Sequence, residues 1–401
     1  MQTLEVVRYL NRLYNSKYNT TYNTIEDTTV SSSEIKWMKK YINDNTNKFS
    51  FIDRISGPYT RSLEKEISLN SKQIKKIDTK EFSKLYFTWI KNGDITKEQH
   101  LKYNRAVLIS VHKNGDIKNP ANYRYLYNFS NNIKLLDKIW TFEICKELGD
   151  NVNNKNFMSY HCRFKFNESL RGMATKFTNT IDNKIMLDFE KAFDNVSFYT
   201  IEKLLKSFLI RKLGKDKGTM YYNRYFNIIK NCNIYYEKIK LKRRKGIPTG
   251  LPSSNFVFTM IMEEMFYIYN RINPSFKKFF DFYVYVDDIA INVLDKKVNI
   301  NKHINILLDI FRFYKFKCNY NKCIISPNIY QNIPQFKMID SSTKYLGIYF
   351  SRNQEEYINL IIEEFNSKKA TKIKTISDMF KYNRRSAIGF LKYKLYPFLK
   401  R

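Results

Sequence analysis

Two adjacent aspartates interrupt an apolar run at residues 282–293, FYVYVDDIAINV. The segments on either side are rich in β-branched and aromatic residues, which predicts a strand–turn–strand with Asp287 and Asp288 at its tip. Carboxylates crowded into such a place resist joint ionisation, so the arrangement is costly unless a cation neutralises them. A third acid, Asp188, ends another apolar strand, KIMLD at 184–188. Three acids of this kind suit a pair of Mg²⁺ ions, about 3.5–4 Å apart, with Mn²⁺ able to substitute. Mg²⁺ takes one or two carboxylates and fills its shell with substrate phosphates. The bland alternative is a solvated Asp-Asp turn, which the apolar flanks disfavour.

Charge narrows the partner. The 401 residues hold 70 Lys and Arg against 38 Asp and Glu, a formal net charge of +32. That surplus points to a polyanion, and nucleic acid is the commonest one. The 31 Tyr and 31 Phe add stacking platforms of the kind that single strands and RNA hybrids use. An AT-rich coding bias would raise Lys and Tyr, but it does not account for so few acids. Five Cys give no disulfide framework and point to a reducing, cytoplasmic setting. No apolar run is long enough to span a membrane.

Along the chain, MQTLEVVRYLNRLY reads as an amphipathic helix carrying Arg8 and Arg12, and residues 31–42 as another helix after a Ser start. Residues 82–93 predict a helix stopped at Asn92-Gly93, and residues 105–116 a strand running into an Asn-Gly hairpin turn. Residues 132–148 read as an amphipathic helix, 232–246 as alternating strand, 253–272 as a long apolar helix with a Ser start, and 304–314 as a helix. Residues 341–350 read as a strand pair. The stretch 367–401 is strongly basic and suits contact with a nucleic-acid backbone.

Taken in order, these segments resemble the reverse transcriptases, right-hand polymerases with fingers, palm and thumb. LDFEKAFDNVSFYTIEKLL (187–205) is similar to the first metal motif of the palm, and KGIPTGLPSSNFVFTMIMEEM (245–265) to the loop and helix that hold template and nucleotide. YVDD (285–288) resembles the Tyr-x-Asp-Asp box, NYNKCIIS (319–326) the Asn-x-x-Lys-Thr segment with Cys323 in place of Thr, and KYLGIYF (344–350) the primer-grip hairpin. Residues 106–139 resemble the fingers of group II intron and non-LTR enzymes. The resemblance implies an α+β fold: an N-terminal helical extension at 1–80, fingers at 81–180, a palm of antiparallel sheet on helices at 181–350, and a short helical thumb at 351–401.

It also implies roles. Asp188, Asp287 and Asp288 would be the metal ligands. Lys322 would act as general acid toward the leaving pyrophosphate. Arg124 and Lys113 would lie on the incoming triphosphate, and Tyr285 would brace the primer end or template base. Phe193 matches the steric gate that collides with a ribose 2′-hydroxyl, which favours dNTPs. Thr249 and Gly250 stand in the nucleotide loop, where Thr249 departs from the usual Gln and implies altered substrate use. Plain structural roles compete at several of these positions: a packed core ring for Phe193 and Tyr285, a surface cation for Lys113, Arg124 and Lys322.

The expected activity is nucleotidyl transfer by an RNA-directed DNA polymerase that uses an RNA template, a DNA or RNA primer and dNTPs. No RNase H acid quartet, zinc knuckle or His-Asn-His cluster is visible. The expectation is therefore a stand-alone enzyme with a dedicated non-coding RNA or partner protein, of the retron-like or bacterial antiphage-defence kind. An RNA-dependent RNA polymerase and a non-catalytic nucleic-acid-binding scaffold are the alternatives.

Overall fold

A computed structural model describes residues 78–152, residues 183–351 except 114, 244, 296, 330–332, 334–335, 340–341 and 346–347, and residues 355–367 except 357. The helices expected within 1–42 and the basic stretch after residue 367 lie outside the described residues.

Helix α1 (Thr79–Asn92) starts where the Asp78 carboxylate accepts the backbone N–H groups of Lys80 and Glu81. It stops at Gly93, whose φ of 71° takes the chain out of the helix at the expected place. Helix α2 (Lys97–Lys102) opens with a Thr96/Gln99 capping box. Strands β1 (Arg105–His112) and β2 (Tyr123–Phe129) pair antiparallel. They form the expected hairpin, but its connection is longer than an Asn-Gly turn alone. It runs through residues 113–122, because the Lys113 N–H pairs with the Asn122 carbonyl and the Asp116 and Asn119 side chains fold the intervening chain on itself.

Helix α3 (Asn131–Val152) follows. The expected amphipathic character fails through its middle, where Leu135 to Thr141 are all buried, Asp137 and Lys138 included. Strand β3 (Lys184–Leu187) is buried at every position, and α4 (Lys206–Leu213) and α5 (Lys215–Lys230) come next. Strands β4 (Asn233–Tyr236) and β5 (Ile239–Leu241) form a hairpin, and α6 (Ser254–Ile272) is the long apolar helix. Strands β6 (Phe280–Tyr285) and β7 (Asp288–Val293) flank the aspartates as expected, and α7 (Ile300–Phe313) follows. The short strands β8 (Ile324–Ile325) and β9 (Lys337–Met338) precede the hairpin β10 (Ser342–Tyr345) and β11 (Ile348–Ser351).

These elements make an α+β fold. One sheet has the order β2-β1-β4-β5, a second β6-β7-β3-β8-β9, and β10 and β11 pair separately. Helices α1 and α3 pack on α5, each pinned by an indole N–H: Trp89 donates to the Arg224 carbonyl and Trp140 to that of Tyr221, both at 2.9 Å. Helices α6 and α7 lie against the five-stranded sheet through Phe266 on Phe282 at 5.4 Å and Phe311 on Phe189 at 5.0 Å. Among the described residues no helix is long and apolar enough to cross a membrane.

Candidate active site

The five-stranded sheet brings the three aspartates together. Leu187 on β3 pairs with Ile289 on β7 in antiparallel register. That is the last pair of the ladder: Asp188 follows Leu187 and Asp288 precedes Ile289, and the Asp188 charge acts on both Asp287 and Asp288. Asp287 occupies the two-residue turn between the partners Tyr285 and Asp288. Val286 takes the other turn position with φ at 56°, and its side chain is buried. All three carboxyls have raised pKa values, in each case first through loss of hydration. Repulsion from Asp188 adds to this at Asp287. Asp288 is an exposed residue, yet poor hydration of its carboxyl, then Asp287 and Asp188, push it up to about 7.

The segment after α7 holds the end of β3 in place. The Asn319 N–H donates to the Asp188 carbonyl at 2.8 Å. The Asp188 N–H donates to Cys323 Sγ at 3.5 Å, and that buried thiol lies 3.8 Å from the Asp188 carbonyl. Cys323 thus serves the backbone of the site, as a small buried donor and acceptor. The Asn319 side chain also bonds the Asp188 carboxyl and favours its ionised form.

Cations rim the acids. Lys322 Nζ stands 3.9 Å from Asp188 Oδ2, on an exposed side chain. Lys113 follows β1 and Arg124 lies on β2 opposite Val111. Both act electrostatically on Asp287, and Lys113 also faces Asp188 and Asp194. Loss of hydration and the neighbouring Arg124 lower the Lys113 pKa. Tyr285 is half-buried and packs against the core.

Phe193 is half-buried, with one face stacked on Phe258 at 4.7 Å. The loop 245–254 reaches from there to the edge of the four-stranded sheet. The Phe193 carbonyl accepts from the Ile247 N–H at 2.8 Å, and the Thr249 carbonyl accepts from Tyr127 on β2 at 3.0 Å. The Thr249 hydroxyl donates to the Tyr125 carbonyl at 3.2 Å, so it is engaged with backbone. At Gly250, φ is 145° and a Cβ would stand 2.0 Å from the Tyr127 carbonyl oxygen, which leaves room for glycine alone.

A family model described as reverse transcriptase (RNA-dependent DNA polymerase) matches residues 111–350, more than half of the chain. The chain belongs to the reverse transcriptase family. No curated protein matches it.

Sequence reasoning missed one residue that holds the loop 245–254 of this reverse transcriptase in place. Asp137, buried on α3, accepts the Ser253 N–H at 2.8 Å and the Ser253 hydroxyl at 2.7 Å. The Ser start of α6 therefore does not cap its own helix; a carboxylate from another helix does. The signal was a lone acid inside the apolar stretch LLDKIW.

Among the described residues no three His, Cys, Asp or Glu side chains converge tightly enough to enclose a metal by themselves. The donor set nevertheless fits a hard cation. It is all oxygen, Asp188 raises the pKa of Asp287 and both raise that of Asp288, and Mg²⁺ completes its shell from phosphate and water.

Proposed function

We propose that this chain is an RNA-directed DNA polymerase that extends a primer with dNTPs by two-metal nucleotidyl transfer. The antiparallel pairing of β3 with β7, which ends one residue short of Asp188 and of Asp288 and leaves the three carboxylates acting on one another's surroundings, carries this reading. In it the five-stranded sheet with α6 and α7 is the palm, and the four-stranded sheet belongs to the fingers. Asp188, Asp287 and Asp288 hold Mg²⁺ or Mn²⁺, which supplies charge neutralisation to the nucleotide phosphates and the primer hydroxyl. Arg124 and Lys113 orient the triphosphate, and Lys322 stands where it can hand a proton to the departing pyrophosphate. Tyr285 braces the primer or template from the β6 end of the hairpin. Gly250 lets the loop approach β2 closely enough to wall the nucleotide pocket.

The net charge of +32 supports a dedicated RNA as template or scaffold, with a protein partner as the other route to the same stand-alone role. Antiphage defence is the setting that the resemblance to retron-like enzymes favours.

Phe193 carries the choice of sugar. Its stacking on Phe258 fixes the ring, so it can exclude a 2′-hydroxyl by filling space. Extension of a primer on RNA with dNTPs or rNTPs tests this. Wild type should favour dNTPs, and Phe193→Val should lower that preference roughly tenfold or more. Equal use of rNTPs by the wild type would favour the RNA polymerase reading instead.

A further inference from the structure

A cavity of about 610 Å³ opens beside the carboxylate end of β3, between residues 195–199 and residues 313–317. Lys245, Lys315 and Lys317 line it, together with the rings of Tyr199 and Phe313. We propose that this cavity is a second nucleotide site, which binds a nucleoside di- or triphosphate through its lysines and a stacked base, without a metal.

Size is the first support, since pockets of about 300–1,000 Å³ suit small ligands. Charge is the second. The Glu190 carboxylate lies 2.8 Å from Lys317 Nζ. Lys245 Nζ donates to Asn195 Oδ1 at 3.1 Å, and Lys315 makes no ion pair among the described residues. Asp194 acts on Lys245, so three amines face two acids, and the excess is one that a polyphosphate balances. The third support is Phe313, 63% exposed at the end of a helix whose Phe311 and Leu308 are fully buried. Tyr314 meets the Phe313 ring edge-on at 5.0 Å, which leaves it free to stack with a base. Lys315 itself sits at φ 64°, an uncommon conformation for a side chain of that size, held by its N–H to the Arg312 carbonyl at 3.0 Å.

A single strand of nucleic acid fits less well. It needs successive platforms along a groove, whereas here the rings and amines gather around one nucleotide-sized space. The site is also wired to the catalytic strand: the Lys317 carbonyl accepts the Glu190 N–H at 2.8 Å, two residues beyond Asp188.

The test is calorimetric titration of the full chain, stripped of nucleic acid and kept in EDTA, with ATPγS and with inorganic tripolyphosphate. EDTA silences any metal-dependent binding at the aspartates. The expected result is one saturable equivalent of each, unchanged by Asp287→Asn. Lys315→Gln with Lys317→Gln should weaken both ligands about tenfold. Phe313→Ala should weaken ATPγS by about fivefold or more and leave tripolyphosphate alone. These side chains are at the surface, and an unchanged melting temperature checks that the variants fold. No saturable binding in EDTA, full affinity in the double lysine variant, or equal loss of both ligands in Phe313→Ala would overturn the proposal. Complete displacement of ATPγS by an equimolar oligonucleotide without terminal phosphates would overturn it too, and assign the cavity to nucleic acid.

Discussion

Val286 holds a β-branched side chain at φ 56°, in the turn between Tyr285 and Asp288. Such a conformation costs on the order of 1–3 kcal/mol and persists where the surroundings impose it. Here the buried Val286 side chain anchors the turn, and Asp287 is presented beside it. Thr249 is a second residue whose neighbours define its role. Its hydroxyl proton is donated to the Tyr125 carbonyl, so it has no donor left for a nucleotide. Thr249→Gln should restore a longer amide and change the nucleotide preference in single-turnover incorporation, and an unchanged preference would remove the link between this residue and substrate choice. His303 illustrates a purely structural role. It is buried, its Nδ1 accepts the Asn273 amide N–H at 2.6 Å, and burial followed by the charge of Lys302 lowers its pKa. The unfolded chain therefore takes up this proton more readily than the native one. Stability is unaffected by His303 above the unfolded pKa of about 6.5 and falls as pH drops below it. Melting temperatures at pH 7.5 and 5.5 should differ less in His303→Gln than in wild type; an equal difference would contradict this account.

At the scale of elements, the strands at the site were legible because burial, alternation and β-branching agreed. KIML is buried throughout, and the runs around Asp287 and Asp288 pair residue for residue. The connection 113–122 was not, because a local Asn-Gly signal competes with hydrogen bonds made across the whole loop. Nor were β8 and β9, which are two residues each and exist only by pairing with chain far away in sequence. Helix α3 misled because its apolar stripe is joined by Asp137 and Lys138, polar residues that are buried with partners. One inter-helix clamp sets how firmly α4 holds α6. Glu264, 2% exposed, accepts from the Ser207 hydroxyl at 2.7 Å and from Arg211 Nε at 3.0 Å, while the guanidinium lies 4.0 Å over the Tyr267 ring. Arg211→Met leaves that carboxylate buried without its counter-charge and should cost about 3–5 kcal/mol in urea unfolding. Adding Glu264→Met should recover much of the loss; no recovery would mean that the pair contributes by packing alone.

Over the whole molecule, one loop touches both of the larger sheets within a continuous core. Residues 245–254 hydrogen-bond to Phe193 beside the five-stranded sheet, to Tyr127 on the edge of the four-stranded sheet, and to Asp137 on α3. A movement of one sheet relative to the other would therefore strain the segment that carries Thr249 and Gly250. The family and the α+β class could be read from motif order, since six short patterns in sequence sample much of the chain. The cross-chain supports of Asp188, namely Asn319 and Cys323, could not, because only the fold brings 188 and 323 together. The central claim is that Asp188, Asp287 and Asp288 act as one metal-holding unit. It is tested most directly by primer extension on an RNA template with dNTPs and Mg²⁺, comparing wild type with Asp287→Asn. Wild type should extend, Asp287→Asn should lose on the order of 10³-fold or more in rate, and its metal-free melting temperature should hold or rise as one repelling charge is removed. Undiminished extension by Asp287→Asn, or no extension by wild type with Mg²⁺ or Mn²⁺ on any template, would contradict it.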